Sequence, residues 1–501
     1  MKKITFQFSE RGRFIYVDSA AAGAKCIDYL FASLGHLPSL RVLCGPYGSW
    51  LSWDNVFERC PILAYIYGTV LPLEVLRTRS PVPIRACHLE APWCDIIPCL
   101  DDLICLEGLE WYPESDTDVD IRGKHGSLPA LPALWRVLSN NVQSPNMLTL
   151  LKLTKRLTQL RLRIEDNWQH FYDFFLLLED LCHLRDLQLD LSYIEGKFSF
   201  PINRLAKTGV KSLQVFGPFT GNFGPVTTGR DTAVINQETI FSTFSICFPE
   251  VARLELFYTF LGPKVAMYIQ SATRLLSLTL VHDSVGTLPE YHGAPIKSLT
   301  LEVLNLSVGL DATLNIFNPI IECPSVLKLT LKDVPTGQGE WSAPQIQHKV
   351  EHLHITSPIP HVKILRFTAL RKLQISQSFF DDMTGSEVLI LFICEPTICP
   401  LLSELRLDSI PEWDLLFLML ERRNYLPQSR HVSRIKILTL LLPPPPRLLV
   451  PLTEILAGRF TVRPPNEDIS VSSLREGYFD PNMCALTFRL VTEVSLIIFC
   501  S

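Results

Sequence analysis

Between Leu157 and Leu440, aliphatic residues return in a six-residue spacing at the first, fourth and sixth places, with polar residues between them. The hexads are Leu157/Leu160/Leu162, Leu184/Leu187/Leu189, Val210/Leu213/Val215, Val251/Leu254/Leu256, Leu275/Leu278/Leu280 and Ile296/Leu299/Leu301. They continue as Val326/Leu329/Leu331, Val350/Leu353/Ile355, Leu370/Leu373/Ile375, Leu402/Leu405/Leu407 and Ile435/Leu438/Leu440. The last two anchors of each hexad are two residues apart, the period of a strand. Each hexad therefore predicts one short strand, with its anchors on one face and the residues between them on the other.

Most intervals between middle anchors are close to about 20–29 residues, the length of one strand plus one return segment. The widest, from Leu213 to Leu254, contains GPFTGNFGPVTTG (Gly217–Gly229), whose Gly, Pro and Thr content suits an exposed loop. This is the leucine-rich-repeat pattern, in which each repeat buries its apolar face on its neighbours. The predicted fold class is α/β, a leucine-rich-repeat horseshoe (solenoid) with a parallel β-sheet on the concave face and helices on the convex face. Phe171–Leu184 and Glu412–Arg422 supply return helices, the latter with Trp413, Leu416, Phe417 and Leu420 on one side at helical spacing.

A looser form occupies the first quarter: Leu40/Leu43, Leu63/Ile66, Ile84/Cys87/Leu89 and Leu106/Leu109/Trp111, with Gly45 and Gly68 at the third place of the first two. Ile4–Phe8 alternates and reads as a further repeat strand. Residues 1–460 are accordingly expected to form one solenoid, looser over 1–150 and clearer over 151–442. A terminal cap is expected over 447–460, after the stiff PPPP run, and a poorly structured tail over 461–501. Cys60-Pro61, Cys323-Pro324 and Cys399-Pro400 each place Pro two residues before a first anchor. Proline ends the preceding helix and biases entry toward extended backbone, and the cysteine reads as a small apolar plug.

The residues between anchors form the candidate protein-binding surface on the concave face. It comprises Arg161 and Arg163, then Asp186 and Asp190, then Phe216. Arg253, Glu255 and Phe257 follow, with Glu302, Lys328 and Lys332 after them. His352, His354, Lys372, Glu404 and Arg406 complete the set, with Gln374, Ser376 and Asp408 beside them.

With 46 basic and 51 acidic residues among 501, the net charge of −5 implies neither a nucleic-acid nor a membrane partner. The N-terminus lacks the apolar run of a secretory signal, and no stretch is long enough to span a bilayer. Fourteen cysteines without a leader point to free thiols and an intracellular, cytoplasmic or nuclear, location. No CxxC pair stands among them. His352 and His354 could share a metal but lack a third ligand nearby in sequence. Phosphate loops, nucleophile elbows and HExxH helices are absent, so no catalytic residue and no cofactor is expected.

The Cys-Pro entries, LLSELRLDSIPEWDLLFLMLERRN (Leu401–Asn424) and PLTEILAGRFTVRPPNEDIS (Pro451–Ser470) resemble the F-box/leucine-rich-repeat proteins of mushroom-forming fungi. The resemblance covers roughly residues 1 to 470. It implies a non-catalytic substrate-recognition protein of a cullin-type ubiquitin ligase, whose repeats select a protein substrate. In that family an N-terminal F-box docks on a Skp-type adaptor. No LPxE-type F-box opening is found ahead of the first strand, so an adaptor partner is expected only where an F-box stands upstream. The alternative is a stand-alone binding or sensing module with no ligase link.

Overall fold

The computed structural model describes residues 3–8, 14–18, 35–44, 53–78, 84–96, 98–99, 105–112, 131–142, 145–164, 171–191, 205–217, 229–257, 259, 262–282, 297–308, 323–332, 348–355, 367–376, 384–408, 411–425, 432–440, 444–456, 460–462 and 496–499. The chain divides into two compact units, Met1–Asp190 with Asn466–Ser501, and Leu191–Pro465. The division falls inside the stretch that reads as one solenoid in sequence.

In the first unit, β1 (Lys3–Phe8), β2 (Phe14–Asp18) and β3 (Val42–Cys44) precede α1 (Trp53–Arg59), β4 (Tyr65–Val70), α2 (Leu73–Thr78) and β5 (Ala86–Glu90). After α3 (Trp93–Ile96) come β6 (Gly108–Tyr112), β7 (Arg136–Val142), α4 (Pro145–Leu153), β8 (Gln159–Ile164), α5 (Phe171–Leu177) and β9 (Asp186–Asp190). Strands β2 to β9 pair parallel in chain order. The expected repeat strand at Ile4–Phe8 is corrected: β1 pairs antiparallel with β2 and with the late strand Leu496–Phe499, so it is not a repeat strand.

The second unit holds β10 (Ser212–Phe216), α6 (Gly229–Cys247), β11 (Arg253–Phe257), α7 (Pro263–Ser271), β12 (Ser277–His282) and β13 (Val303–Val308). Then come β14 (Lys328–Lys332), β15 (His352–Ile355), β16 (Lys372–Ile375), α8 (Thr384–Cys394), β17 (Glu404–Leu407), α9 (Trp413–Tyr425), β18 (Ile437–Leu440), α10 (Pro446–Ile455) and β19 (Phe460–Val462). All ten strands are parallel in chain order, and the middle anchors Leu213, Leu254, Leu278, Leu304, Leu329, Leu353, Leu373, Leu405 and Leu438 stand in one register. Strand β19 continues this sheet past residue 460, where the tail was expected to begin. The remaining Leu496–Phe499 is β20. Of the Gly217–Gly229 stretch expected as a loop, residues 218–228 lie outside the described residues, and the wide interval also holds the 19-residue α6, which begins at Gly229.

One hexad is out of place. Leu299 is 75% exposed, whereas Leu301, Leu304 and Leu306 are buried and flank or belong to β13. The repeat is therefore Leu301/Leu304/Leu306, and Leu301 is a first anchor rather than a third. Both hexads satisfy the spacing, and the competing one evens the intervals on either side. A repeat was also missed. Strand β7 is built on Leu134 and Val137 with Ser139 at the third place, all buried, and a polar third anchor hides it from an aliphatic pattern.

The turns into seven of the strands share one device. The amide of the first anchor donates to the carbonyl three residues earlier: Leu63 to Cys60, Leu134 to Leu131, Leu184 to Leu181, Leu275 to Ala272, Val326 to Cys323, Leu370 to Phe367 and Leu402 to Cys399. Those earlier residues are all buried, so the cysteines of the Cys-Pro pairs sit in one structural position with Leu, Ala and Phe. Burial pushes the Cys60 and Cys323 thiols up to about 11 and that of Cys399 up to about 12, which keeps them protonated and inert.

The entry to β17 has a second support. Cys399 adopts φ 48°, a left-handed conformation costly for a residue with a Cβ. From α9, the buried Arg423 donates to the carbonyls of Pro396 (2.9 Å), Ile398 (2.8 Å), Cys399 (2.7 Å) and Leu402 (3.4 Å). Its neighbour Asn424 brackets Ile435, donating to its carbonyl at 3.1 Å and accepting its amide at 2.9 Å. The buried side of α9 is Leu416, Met419, Leu420, Arg423 and Asn424. That corrects the expected side, since Trp413 and Phe417 are only half-buried. Helix α5 also ends at Leu177, shorter than the Phe171–Leu184 segment read as helical.

The corrected register gives a direct test. Leu304→Ala should cost about 3 kcal/mol in urea unfolding of the full chain, whereas Leu299→Ala should stay within about 0.5 kcal/mol. Equal effects would contradict the assignment of β13.

Candidate protein-binding face

In the second unit, the residues between anchors fall into three rows running across the strands. The middle row is Gln214, Glu255, Thr279, Asn305, Thr330, His354, Gln374, Arg406 and Thr439, each paired in register with the next. Although polar, it is the most enclosed row: Gln214, Glu255 and Arg406 are buried and the others half-buried. Strands lie about 4.8 Å apart, so each of these side chains is flanked closely on both sides. The row before it, Ser212, Arg253, Ser277, Val303, Lys328, His352, Lys372, Glu404 and Ile437, is more open, with no residue fully buried.

Across β15, β16 and β17 the middle and third rows are tied together through Asp408. Its carboxylate accepts from Ser376 Oγ (2.7 Å), Gln374 Nε2 (2.7 Å) and Arg406 Nε (2.6 Å). His354 Nε2 lies 2.8 Å from the same Ser376 hydroxyl. A hydroxyl has one hydrogen, and here it points to Asp408, so His354 is the donor and carries its proton on Nε2. The order is therefore His–Ser–Asp with serine in the middle. In a hydrolytic triad the imidazole accepts the serine proton, so this arrangement fixes side chains and does not activate a nucleophile.

At the β10–β11 end, Phe216 and Phe257 stack with centroids 4.5 Å apart and planes 10° from parallel. Beside them Arg253 Nε donates to Glu255 Oε1 at 2.8 Å, and on the next strands Asn305 Nδ2 donates to Thr279 Oγ1 at 3.1 Å. The rings pack face to face, with Phe216 buried and Phe257 half-buried, and the polar pairs beside them are already held in place. Asn305, the first residue of a formal glycosylation sequon, is thus a strand residue engaged with its neighbour.

The expected surface residues divide between the two units. Arg161, Arg163, Asp186 and Asp190 lie in the first, on β8 and β9. There Gln159 Nε2 donates to Asp186 Oδ2 at 3.3 Å, and Arg163 Nε is 3.8 Å from Asp190 Oδ2. The other expected residues lie in the second unit. Glu302 is corrected: it precedes β13 at the exposed turn, and its carbonyl accepts from the amides of Leu327 and Lys328. The shift of the hexad by five residues removes it from the face. Lys332 is on β14, but its side chain lies outside the described residues, as does Thr356.

Sequence reasoning missed a cluster on β5 and β6. His88 is fully buried, its ring centroid is 4.6 Å from that of Tyr112, and its Nε2 is 3.5 Å from Glu90 Oε1. The Tyr112 hydroxyl donates to Glu110 Oε1 at 2.7 Å, and Glu110 stands in register with His88. Burial pushes the carboxyl of Glu110 up and the imidazole of His88 down to about 4. The looser repeats gave the signal, since Ile84/Cys87/Leu89 and Leu106/Leu109/Trp111 already place His88 and Glu110 between anchors.

Among the described residues, no group of three or more His, Cys, Asp or Glu is placed to hold a metal ion, and no helix is long and apolar enough to cross a membrane. No family model and no curated protein matches the sequence. Among solved structures, the chain is similar to the mouse RP105/MD-1 complex, with 13% identity, a TM-score of 0.34, and coverage of 84% of this chain and 63% of that chain. A likeness this distant is no guide to function. From the strand registers and buried anchors, each unit has a leucine-rich-repeat α/β fold of in-register parallel strands.

Two titrations test these environments. Burial holds His354 below the ordinary imidazole range while the Asp408 carboxylate pulls it up, so Asp408→Asn should lower its pKa further by NMR. His88 stays neutral in the folded chain, whereas the unfolded ring takes a proton below about pH 6.5. Its contribution to stability is complete above that pH and is lost as pH falls toward about 4. Urea midpoints should show this loss, and His88→Gln should flatten it.

Proposed function

We propose that this chain is a non-catalytic protein-interaction scaffold that holds a protein partner on the strand face of β10 to β18. We further propose that it acts as an F-box-like substrate-recognition protein of a cullin-type ubiquitin ligase. The observation that carries the binding reading is the Asp408-centred network, which immobilises Gln374, Ser376, His354 and Arg406 in advance. Side chains already ordered lose less entropy when a partner docks, and the half-buried Phe257 adds an aromatic of the kind that anchors interfaces. The His–Ser–Asp order supports binding over acyl transfer.

The ligase role rests on the resemblance of Leu401–Asn424 and Pro451–Ser470 to fungal F-box/leucine-rich-repeat proteins. A Skp-type adaptor is a partner of this chain where an F-box stands upstream of it. The second reading, a stand-alone binding module, is favoured by one observation. Arg423 and Asn424, within the first of those stretches, serve the internal turns before β17 and β18. Any solenoid needs such support, with or without a ligase.

A photo-crosslinking amino acid placed at Lys372 on the strand face should capture a protein partner in the source cells. The same group at Lys264 on α7 should not. Crosslinks confined to Lys264 would retire the face. Co-purification of a Skp-type adaptor and a cullin subunit with the captured complex supports the ligase role, and a captured partner without them leaves the stand-alone module.

A further inference from the structure

The open row of the same face carries two lysines that the network does not use. Lys328, His352 and Lys372 are consecutive register partners on β14, β15 and β16, and Glu404 follows on β17. The two lysines are therefore about 10 Å apart at their Cα atoms, with the imidazole between them. Lys328 is exposed and Lys372 half-exposed, and neither makes an ion pair within 4 Å among the described residues. Their neighbours contrast with them, because Arg406 and Arg253 are each neutralised on their own strand, by Asp408 and Glu255. Lys372 has Glu404 as its register partner on β17 without an ion pair within 4 Å, and neither register partner of Lys328, Val303 or His352, is a carboxylate.

Resting on the reading of this face as a protein-binding surface, we propose that the Lys328–His352–Lys372 row docks an acidic segment of the partner, with carboxylates on alternate residues of an extended chain laid across the strands. Charge complementarity selects this occupant. Alternate side chains of an extended chain point the same way at about 6.8 Å spacing, so two carboxylates fit within the span between the two lysines. The half-buried His352 supports it. Burial first, then Lys328 and Lys372, hold its imidazole below the ordinary range, while Glu404 and Glu351 oppose them. Bound carboxylates reverse that balance and favour the imidazolium. Binding therefore takes up a proton, and affinity rises as pH falls from 8 to 6.

The probe is a twelve-residue peptide of alternating Glu and Ser carrying an uncharged dye, titrated by fluorescence anisotropy against the full chain, with a Gln/Ser peptide as its neutral counterpart. Saturable binding is expected for the Glu peptide alone. Lys328→Glu with Lys372→Glu should weaken it at least tenfold, and Lys328→Gln with Lys372→Gln should weaken it by a smaller factor. Lys264→Glu with Arg447→Glu, an equal charge change on helices α7 and α10, should alter it less than twofold, and His352→Gln should flatten its pH dependence. An unchanged circular dichroism melt confirms that the variants fold. Absent saturation, equal binding of the Gln peptide, or equal weakening by the helix pair overturns the proposal. Should the peptide fail while crosslinks still form at Lys372, this inference alone falls. Crosslinks at Lys264 only remove the face itself.

Discussion

A strand of four to six residues cannot satisfy its own backbone groups, nor can three aliphatic anchors form a core alone. In this chain both needs are met by the same contact, the in-register stacking of each strand on the next. The amides and carbonyls of β14, for example, are used by β13 and β15, while Leu329 and Leu331 lie level with Leu304 and Leu306 on one side and Leu353 and Ile355 on the other. A one-residue slip would turn every anchor outward, so register is strongly specified. The recurring turn before seven of the strands and the Arg423 and Asn424 supports hold the chain at the point where that register is set.

The same stacking shapes the strand face. Because neighbouring strands are so close, a side chain in the middle row is enclosed by its counterparts whatever its polarity. Gln214, Glu255 and Arg406 are buried on the side that alternation assigns to solvent. Enclosure fixes them, and Arg253 pairs with Glu255 while Asp408 pairs with Arg406. The row before it stays open, and there the lysines of β14 and β16 remain accessible. The middle row has side chains on both sides of it along each strand, whereas the row before it stands at the strand entry.

Much of this was legible in the residues. The hexads at Leu157, Leu184, Val210, Val251, Leu275 and most later ones fall on strands, with their anchors buried. Legibility failed where the pattern was ambiguous or broken. Leu299 and Leu304 both complete a valid hexad around Leu301, and only packing chose between them. Strand β7 was hidden by Ser139 at an anchor place. Arg423 was unreadable for another reason: a charged residue late in a helix looks solvated, and only the fold shows four carbonyls converging on it.

What the sequence by itself determined was the repeat unit, because aliphatic period and strand period are local properties written residue by residue. It determined the composition of the strand face for the same reason, since alternation assigns each side chain to a side. Only the tertiary structure decided which side chains meet across strands. His354, Ser376 and Asp408 lie more than twenty residues apart from one another along the chain, and His352 stands between Lys328 and Lys372 only because three separate strands share one register. The lengths of the return segments bring those residues level, and length carries no chemical signature of what it aligns.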